Sequence, residues 1–558
     1  MQALLDWTLL SRWRLVAVYA LLAAITLIPG QATISVTDRD EGRYIQASKQ
    51  MMETGDYIEI WNIENPRWKK PAGIHWLQVA AAQITGYGAE APIWVYRLPS
   101  AFGMFFAGLL TFWALYPLLG KRAAALAGMM MLTCLIAAGE GNIAKTDAVL
   151  LAACTATAGA LARLYEREAR GPGLQREHWI LWLAVSAGVL VKGPIIFLLL
   201  GGILLSHTIL ERDLQFVRQT KPLFGLAVLA VVALPWFIAI GFRTDWQYYF
   251  AAVGDDLLGK VTEGQQNHWG PPGYYIATVW LMLWPWAALL VLSLGRAWRE
   301  RGSDAMRFLA SWIIPFWAVF AVTSTKLPHY TLPVFPALVG LMAYGLIHGL
   351  NPSRGWRIVA AALFLLGTAV WAGISLVVPP LELGGILPTA VALAGFGSLA
   401  ALAAVWSLLK RQDWQFAGYA LAAGLLIHGG LFGVTLPAAQ YFFPSRAIAE
   451  AHLAYDACAP RPFRSIDYRE PSVWHYTATT ARFLTDNEAA ELLSSGESGW
   501  RVWLNAARRT TPEELEALVG APLQELARVE AFNPNQGREI DMRLLARADD
   551  TSFADCLP

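Results

Sequence analysis

The chain has 558 residues, 56% of them hydrophobic and 15% charged, with a formal net charge of +1. Soluble globular chains carry about 25% charged residues, so lipid rather than water solvates much of this surface, and the overall charge offers nothing to a nucleic acid. Its 25 Trp suit a protein with many membrane–water interfaces, and its four Cys form no CxxC or Cys/His cluster of zinc spacing.

A helix crosses the hydrocarbon with roughly 20 apolar residues. The first such run, 15–31, follows Arg12 and Arg14 and has no small-residue cleavage site after it, so it reads as a retained span. Further runs fall at 98–119, 123–139, 147–164, 178–191, 194–210, 222–241, 274–295, 306–324, 330–348, 356–378, 385–409 and 416–438, giving about thirteen transmembrane helices. Lys and Arg recur in alternate gaps, from Lys121-Arg122 through Arg212, Arg218 and Lys221 to Lys410-Arg411. The charge rule for short loops then places the N-terminus inside and the polar C-terminal tail outside. Residues 72–95 are apolar enough to be a fourteenth span, but a span there would invert every later basic gap. They are therefore expected to be re-entrant or interfacial on the outer face.

The expected fold is an all-α polytopic membrane domain over 1–440, with an outer first loop at 32–97, followed by a soluble α/β domain at 441–558. In that tail Arg501-Val502-Trp503-Leu504 reads as a strand. Thr511-Pro512-Glu513-Glu514 reads as a capped helix start. Cys458 and Cys556 form a bridge if the tail lies in an oxidising compartment, or else stay as two thiols.

The first outer loop carries many basic residues where topology calls for none. Its sharpest piece is Thr37-Asp38-Arg39-Asp40-Glu41-Gly42-Arg43-Tyr44. Acids at the end of a span are costly and tend to be functional. A helix starting near Asp40 would favour its charge and bring Asp40, Arg43 and Tyr44 together. Asp40 and Glu41 are thus candidate catalytic acids, and a helix cap with solvated loop is the plainer reading of Asp38 and Arg39. Asn65-Pro66-Arg67-Trp68-Lys69-Lys70-Pro71 is a proline-braced basic loop. Lys69 and Lys70, the second above the first, are candidates for a phosphate, and a headgroup anchor is the alternative. Asp147, Lys192, Lys326, His329 and Tyr330 stand at other outer span ends, each by itself a plausible cap or anchor. Their common side is the signal. His268 and His329 leave a divalent metal open, although no paired spacing supports one. No Walker A or Rossmann glycine pattern follows a strand, so no nucleotide cofactor is expected.

These segments, together with Thr325-Lys326-Leu327-Pro328-His329-Tyr330-Thr331-Leu332-Pro333, resemble the integral-membrane GT-C glycosyltransferases related to protein O-mannosyltransferases. Within them the chain looks most like the lipid A aminoarabinose transferases, over about residues 1–440. The resemblance implies a bacterial inner-membrane enzyme with a periplasmic active face. It implies a donor of undecaprenyl phosphate carrying 4-amino-4-deoxy-L-arabinose, a lipid A phosphate as acceptor, and a consequence in cationic-peptide and polymyxin resistance. Asp40 matches the family's first-loop acid. Arg43, Tyr44, Lys70, Asp147 and the Lys326–Tyr330 segment match outer-face positions that such enzymes use. Direct displacement with inversion is the expected chemistry. A GT-C enzyme moving another sugar to protein or glycan is the alternative. A lipid or sugar transporter fits less well, since such folds show repeats and midplane charges that this chain lacks.

Overall fold

A computed structural model describes all residues except 38–39, 167–172, 253, 255–269, 272, 535, 555 and 557–558. Asp38, Arg39 and the charged residues Asp255, Asp256, Lys260, Glu263 and His268 lie outside the described residues. Backbone polar groups in lipid find partners only within their own segment, so apolar runs close as helices. In chain order these are α1 (Arg12–Leu27), α2 (Asp40–Thr54), α3 (Gly73–Ile84), α4 (Ile93–Thr133), α5 (Leu135–Gly141), α6 (Asp147–Tyr165), α7 (Arg176–Lys192) and α8 (Ile195–Glu211). There follow α9 (Pro222–Val232), α10 (Leu234–Arg243), α11 (Tyr274–Met282), α12 (Ala287–Arg299), α13 (Asp304–Val322), α14 (Phe335–His348), α15 (Arg354–Leu383), α16 (Pro388–Leu409) and α17 (Asp413–Gly430).

All thirteen expected runs fall on helix, yet among the described residues only seven helices are long and apolar enough to cross a membrane, or nine if each bent pair is one span. Three causes account for the difference. The long helix α4 holds two of the expected runs, because Gly120 at φ +77° breaks it beside Lys121-Arg122. The two halves fold back, so that a Cβ on Gly108 would meet Leu132 at 2.5 Å. The pairs α9/α10 and α11/α12 are bent by 46° and 119°. Helices α1, α7 and α8 have 16 or 17 residues and reach about 24–26 Å, short of a hydrocarbon core of about 30 Å.

Small residues let the helices approach closely, as expected where lipid supplies no hydrophobic drive. Tyr19 of α1 donates its hydroxyl to the Ala125 carbonyl at 2.7 Å and lies where a Cβ on Gly128 would be. The ambiguous stretch 72–95 is not a span. Its helix α3 has 12 residues, about 18 Å, and packs on α2, α4 and α7. A hairpin of β1 (Trp61–Asn62) and β2 (Asn65–Pro66) precedes it and launches the basic loop.

The tail begins with α18 (Pro444–Leu453) and contains β3 (Arg464–Ile466), α19 (Ser472–Tyr476), β4 (Arg482–Leu484), α20 (Asp486–Ser494), β5 (Arg501–Asn505), α21 (Pro512–Val519), β6 (Leu523–Asn533) and β7 (Arg538–Arg547). The strands form one mixed sheet, ordered β4-β3-β5-β7-β6. Strands β4, β3 and β5 are parallel, and β7 runs antiparallel to both β5 and β6. The expected strand is β5, buried along its whole length. Thr511 caps α21 reciprocally with Glu514, with Pro512 in the first turn. Cys458 and Cys556 are joined, closing a sequence separation of 98 residues. The tail rests on the first loop. Tyr476 accepts from the Val36 amide at 2.7 Å, Arg482 pairs with Glu64 at 2.7 Å, and a Cβ on Gly42 would meet the Ser472 amide nitrogen at 2.6 Å.

Candidate functional site

Helix α2 opens at Asp40, so both acids stand in its first turn, where the helix dipole favours negative charge. Their fates then separate. Asp40 keeps 61% of its side chain accessible, with Arg43 Nη1 and Arg67 Nη2 each 3.8 Å from its Oδ1. Burial alone would raise its pKa, but Arg67 and then Arg43 outweigh burial and hold the carboxyl below the usual range. Glu41 is fully buried and accepts from Arg97 at 2.8 and 3.0 Å, from the Thr37 amide at 2.8 Å and from the Ala144 amide at 2.8 Å. Arg97 also donates to the Gln31, Ile34 and Ser35 carbonyls. Glu41, the second candidate catalytic acid of the sequence, is placed in this buried network. Its carboxylate is spent on tying the first loop to α4 and to the 142–146 connection, and it does not line the cavity below.

A cavity of about 480 Å³ lies between the first loop and the ends of α6, α7, α8 and α13. Asp40, Tyr44, Lys69, Lys70, Asp147, Lys192, His329 and Tyr330 all line it, so span ends far apart in sequence meet at one place. Its other wall is apolar: Ile195, Phe197, Leu198, Phe237, Val319 and Phe320. Phe197 and Val319 stay 40% and 39% exposed, so this wall continues onto the lipid-facing surface. Lys326 does not line the cavity, and its ammonium is turned to the Thr323 carbonyl. Arg43 does not line the cavity, and its guanidinium lies 3.8 Å from Asp40 at its edge.

Asp147 begins α6 and is held by cations. Lys192 Nζ lies 2.5 Å from its Oδ1, and Lys145 Nζ lies 3.7 Å from its Oδ2. Lys145 also pairs with Glu140 at 3.1 Å. Burial would lower the Lys145 pKa, but Glu140 and Asp147 outweigh it and keep the ammonium protonated. His329 Nδ1 is 3.3 Å from Lys145 Nζ. An ammonium has no acceptor, so Nδ1 carries the lone pair and the ring is the Nε2–H tautomer. Its Nε2 then faces Asp147 Oδ2 at 3.8 Å. Among the described residues no group of three His, Cys, Asp or Glu could hold a metal. The position between Glu140 and Asp147 belongs to the Lys145 ammonium, so these residues do not fit one.

Tyr44 is buried beneath Arg67, whose Cζ lies 5.0 Å from the ring centre. Burial, aided by Asp40, pushes the phenol up to about 12 against the pull of Arg67, so it stays a neutral donor. Behind it His75 is driven down to about 3 by burial and is uncharged. Lys145, Glu140 and Arg67 stand in outer-face segments that the sequence marks as charged, but they are not among its candidate site residues. The signal was present: Lys145 stands two residues before Asp147, and Arg67 sits in the same braced loop as Lys70.

A family model described as dolichyl-phosphate-mannose-protein mannosyltransferase matches residues 13–245. An undecaprenyl phosphate-alpha-4-amino-4-deoxy-L-arabinose arabinosyl transferase of Edwardsiella ictaluri is 28% identical over 445 residues, 77% of each chain. One of the same name from Pectobacterium atrosepticum is 29% identical over 70% of this chain and 71% of its own. Among solved structures, ArnT of Cupriavidus metallidurans bound to undecaprenyl phosphate superposes with a TM-score of 0.73 at 18% identity, covering 99% of both chains. Its apo form gives 0.71 at 19% identity, over 96% of this chain and 98% of that one.

Proposed function

We propose, from the premise that this chain is a polyprenyl-phosphate-dependent GT-C membrane glycosyltransferase related to the protein O-mannosyltransferases, that it transfers 4-amino-4-deoxy-L-arabinose from undecaprenyl phosphate to a phosphate of lipid A. Under the same proposal the reaction occurs at the periplasmic face of a bacterial inner membrane. The observation that carries the reading is the two-sided cavity. One wall holds lysines and carboxylates, the other is hydrocarbon-like, and the pair fits a phosphate on a lipid tail.

The bond between sugar C1 and the carrier phosphate oxygen breaks, and its electron pair stays on that oxygen. An oxygen of the acceptor phosphate attacks C1 from the opposite face, so configuration inverts. The carrier leaves as a monoester with one more negative charge, which Lys69 and Lys70 are placed to receive. Such contacts in a water-poor site are worth a few kcal/mol. The acceptor monoester has a second pKa of about 6 and is already mostly dianionic, so little base catalysis is needed. Asp40, accessible and ionised, positions the acceptor and stabilises positive charge on the sugar ring. Asp147 is already committed to Lys192 and Lys145 and orders those two cations.

The test is lipid A from a Gram-negative host that makes the donor but lacks its own transferase. Expression should add one aminopentose mass and raise polymyxin resistance. Unmodified lipid A beside folded protein and available donor overturns the assignment. The mannosyltransferase match over residues 13–245 favours a second reading, transfer of another carrier-linked sugar to a protein. Glycosylation of an added polypeptide acceptor by the purified enzyme separates the two.

A further inference from the structure

The tail holds a second polar cavity, of about 260 Å³, lined by Asp467, Arg469, Arg508, Arg509 and Gln536. Its place in the sheet is informative. Strands β3 and β5 are adjacent and parallel, and the chain leaves β3 for β4 on one side and β5 for β6, beyond β7, on the other. In α/β sheets, ligands bind outside the carboxyl ends of strands where connections diverge in this way. Asp467 directly follows β3, and Arg508-Arg509 follow β5 within four residues. Gln536 comes from the β6–β7 turn.

Three guanidiniums and the Asp467 carboxylate line it, with the Glu470 carboxylate beneath and Glu488 near Arg469. Arg469 and Arg509 are exposed and make no hydrogen bond or ion pair among the described residues. Arg508 donates to Gln536 Oε1 at 2.5 Å, and its Nε is buried with no partner. Gln536 and Asn533 both donate to the buried Glu470, at 3.2 and 2.7 Å, which fixes the floor. A planar guanidinium fork suits a phosphate better than any other side chain. The loop that forms one side of this cavity continues through Pro471 to Ser472, which abuts Gly42 between Asp40 and Arg43.

We infer that this arginine cavity binds a phosphate monoester, and that its source is a second anionic phosphate of the acceptor glycolipid, held while the first is glycosylated. The inference rests on the proposed reaction for that source and on the cavity alone for the anion. Full-length protein in nanodiscs tests it, first with inorganic phosphate as the probe. Phosphate should bind the wild type, and R508Q/R509Q should bind it at least tenfold more weakly with an unchanged melting curve. Arg509→Gln alone, at an exposed position, replaces the double variant if that misfolds. With donor and glycolipid acceptor supplied, the variant should raise the acceptor KM at least fivefold and leave the donor KM unchanged. Inorganic phosphate should compete with the acceptor in the wild type, and at least fivefold more phosphate should be needed for the same competition in the variant, where only the transfer cavity still takes it. Equal phosphate binding by both proteins overturns the site. Phosphate binding without competition overturns the glycolipid source and leaves free phosphate as the ligand. If the wild type transfers nothing to the acceptor, the proposed reaction fails while the binding comparison still decides the cavity.

Discussion

Two neighbouring carboxylates diverge because a helix rotates successive side chains by about 100°. Asp40 meets the cavity, and Glu41 meets Arg97 in the protein. Asp40→Asn is expected to cut transfer at least a hundredfold with unchanged membrane insertion and melting, measured by turnover on purified protein. Wild-type turnover would refute its role. Glu41→Ala should instead cost about 3–5 kcal/mol, the usual penalty for orphaning one half of a buried pair, read as a lowered Tm. The Glu41 pKa is lowered in the fold, Arg97 and the hydrogen bonds outweighing burial. Its contribution is therefore present above the unfolded value near 4.5 and is lost as pH falls through the folded one. Below pH 4.5 the wild type should lose Tm faster than Glu41→Gln, and equal slopes would refute the sign. The sequence carried the acidic pair but not which acid faces the cavity. That choice depends on Arg97, 56 residues away, and no spacing encodes it.

At the scale of elements, hydropathy located the helices because each run obeys lipid solvation by itself. It could not tell where one run folds back, where two short helices bend, or that α3 stops short. Those outcomes depend on packing between runs. The basic loop after β2 was legible as a proline-braced unit. Both Lys69 and Lys70 line the cavity, but Lys69 is exposed and Lys70 half-buried. Lys70→Ala should lower kcat/KM for donor by at least tenfold, and Lys69→Ala by less than about threefold, a gap of about 0.7 kcal/mol or more. Steady-state kinetics with varied donor check this, and equal small effects would favour the headgroup-anchor reading. Lys145 was missed because a lysine beside a span end reads as an anchor. The end of α5 and the start of α6 give it Glu140 and Asp147, and the meeting of α6 with the 323–330 connection adds His329.

For the molecule as a whole, low charge and abundant Trp were enough to place most of it in lipid, and the strand and cap of the tail were readable from local pattern. The docking of the tail on the first loop was not, since Gly42 against Ser472 and Tyr476 against Val36 join residues more than 400 positions apart. The disulfide ties the start of the tail to its end. Replacing Cys458 and Cys556 by Ser should cost about 2–5 kcal/mol of tail stability, and neither thiol should alkylate in wild-type protein before reductant is added. Ready labelling of both would refute the bridge.

The hydrocarbon-like wall of the cavity, open toward lipid at Phe197 and Val319, has a kinetic consequence. Under the proposed reaction both substrates reach the enzyme by sliding within the bilayer, so encounters are counted per unit of membrane area and not per litre. Turnover in vesicles should then fall as inert phospholipid is added at fixed substrate amount. It should stay constant when the same vesicles are merely diluted with buffer.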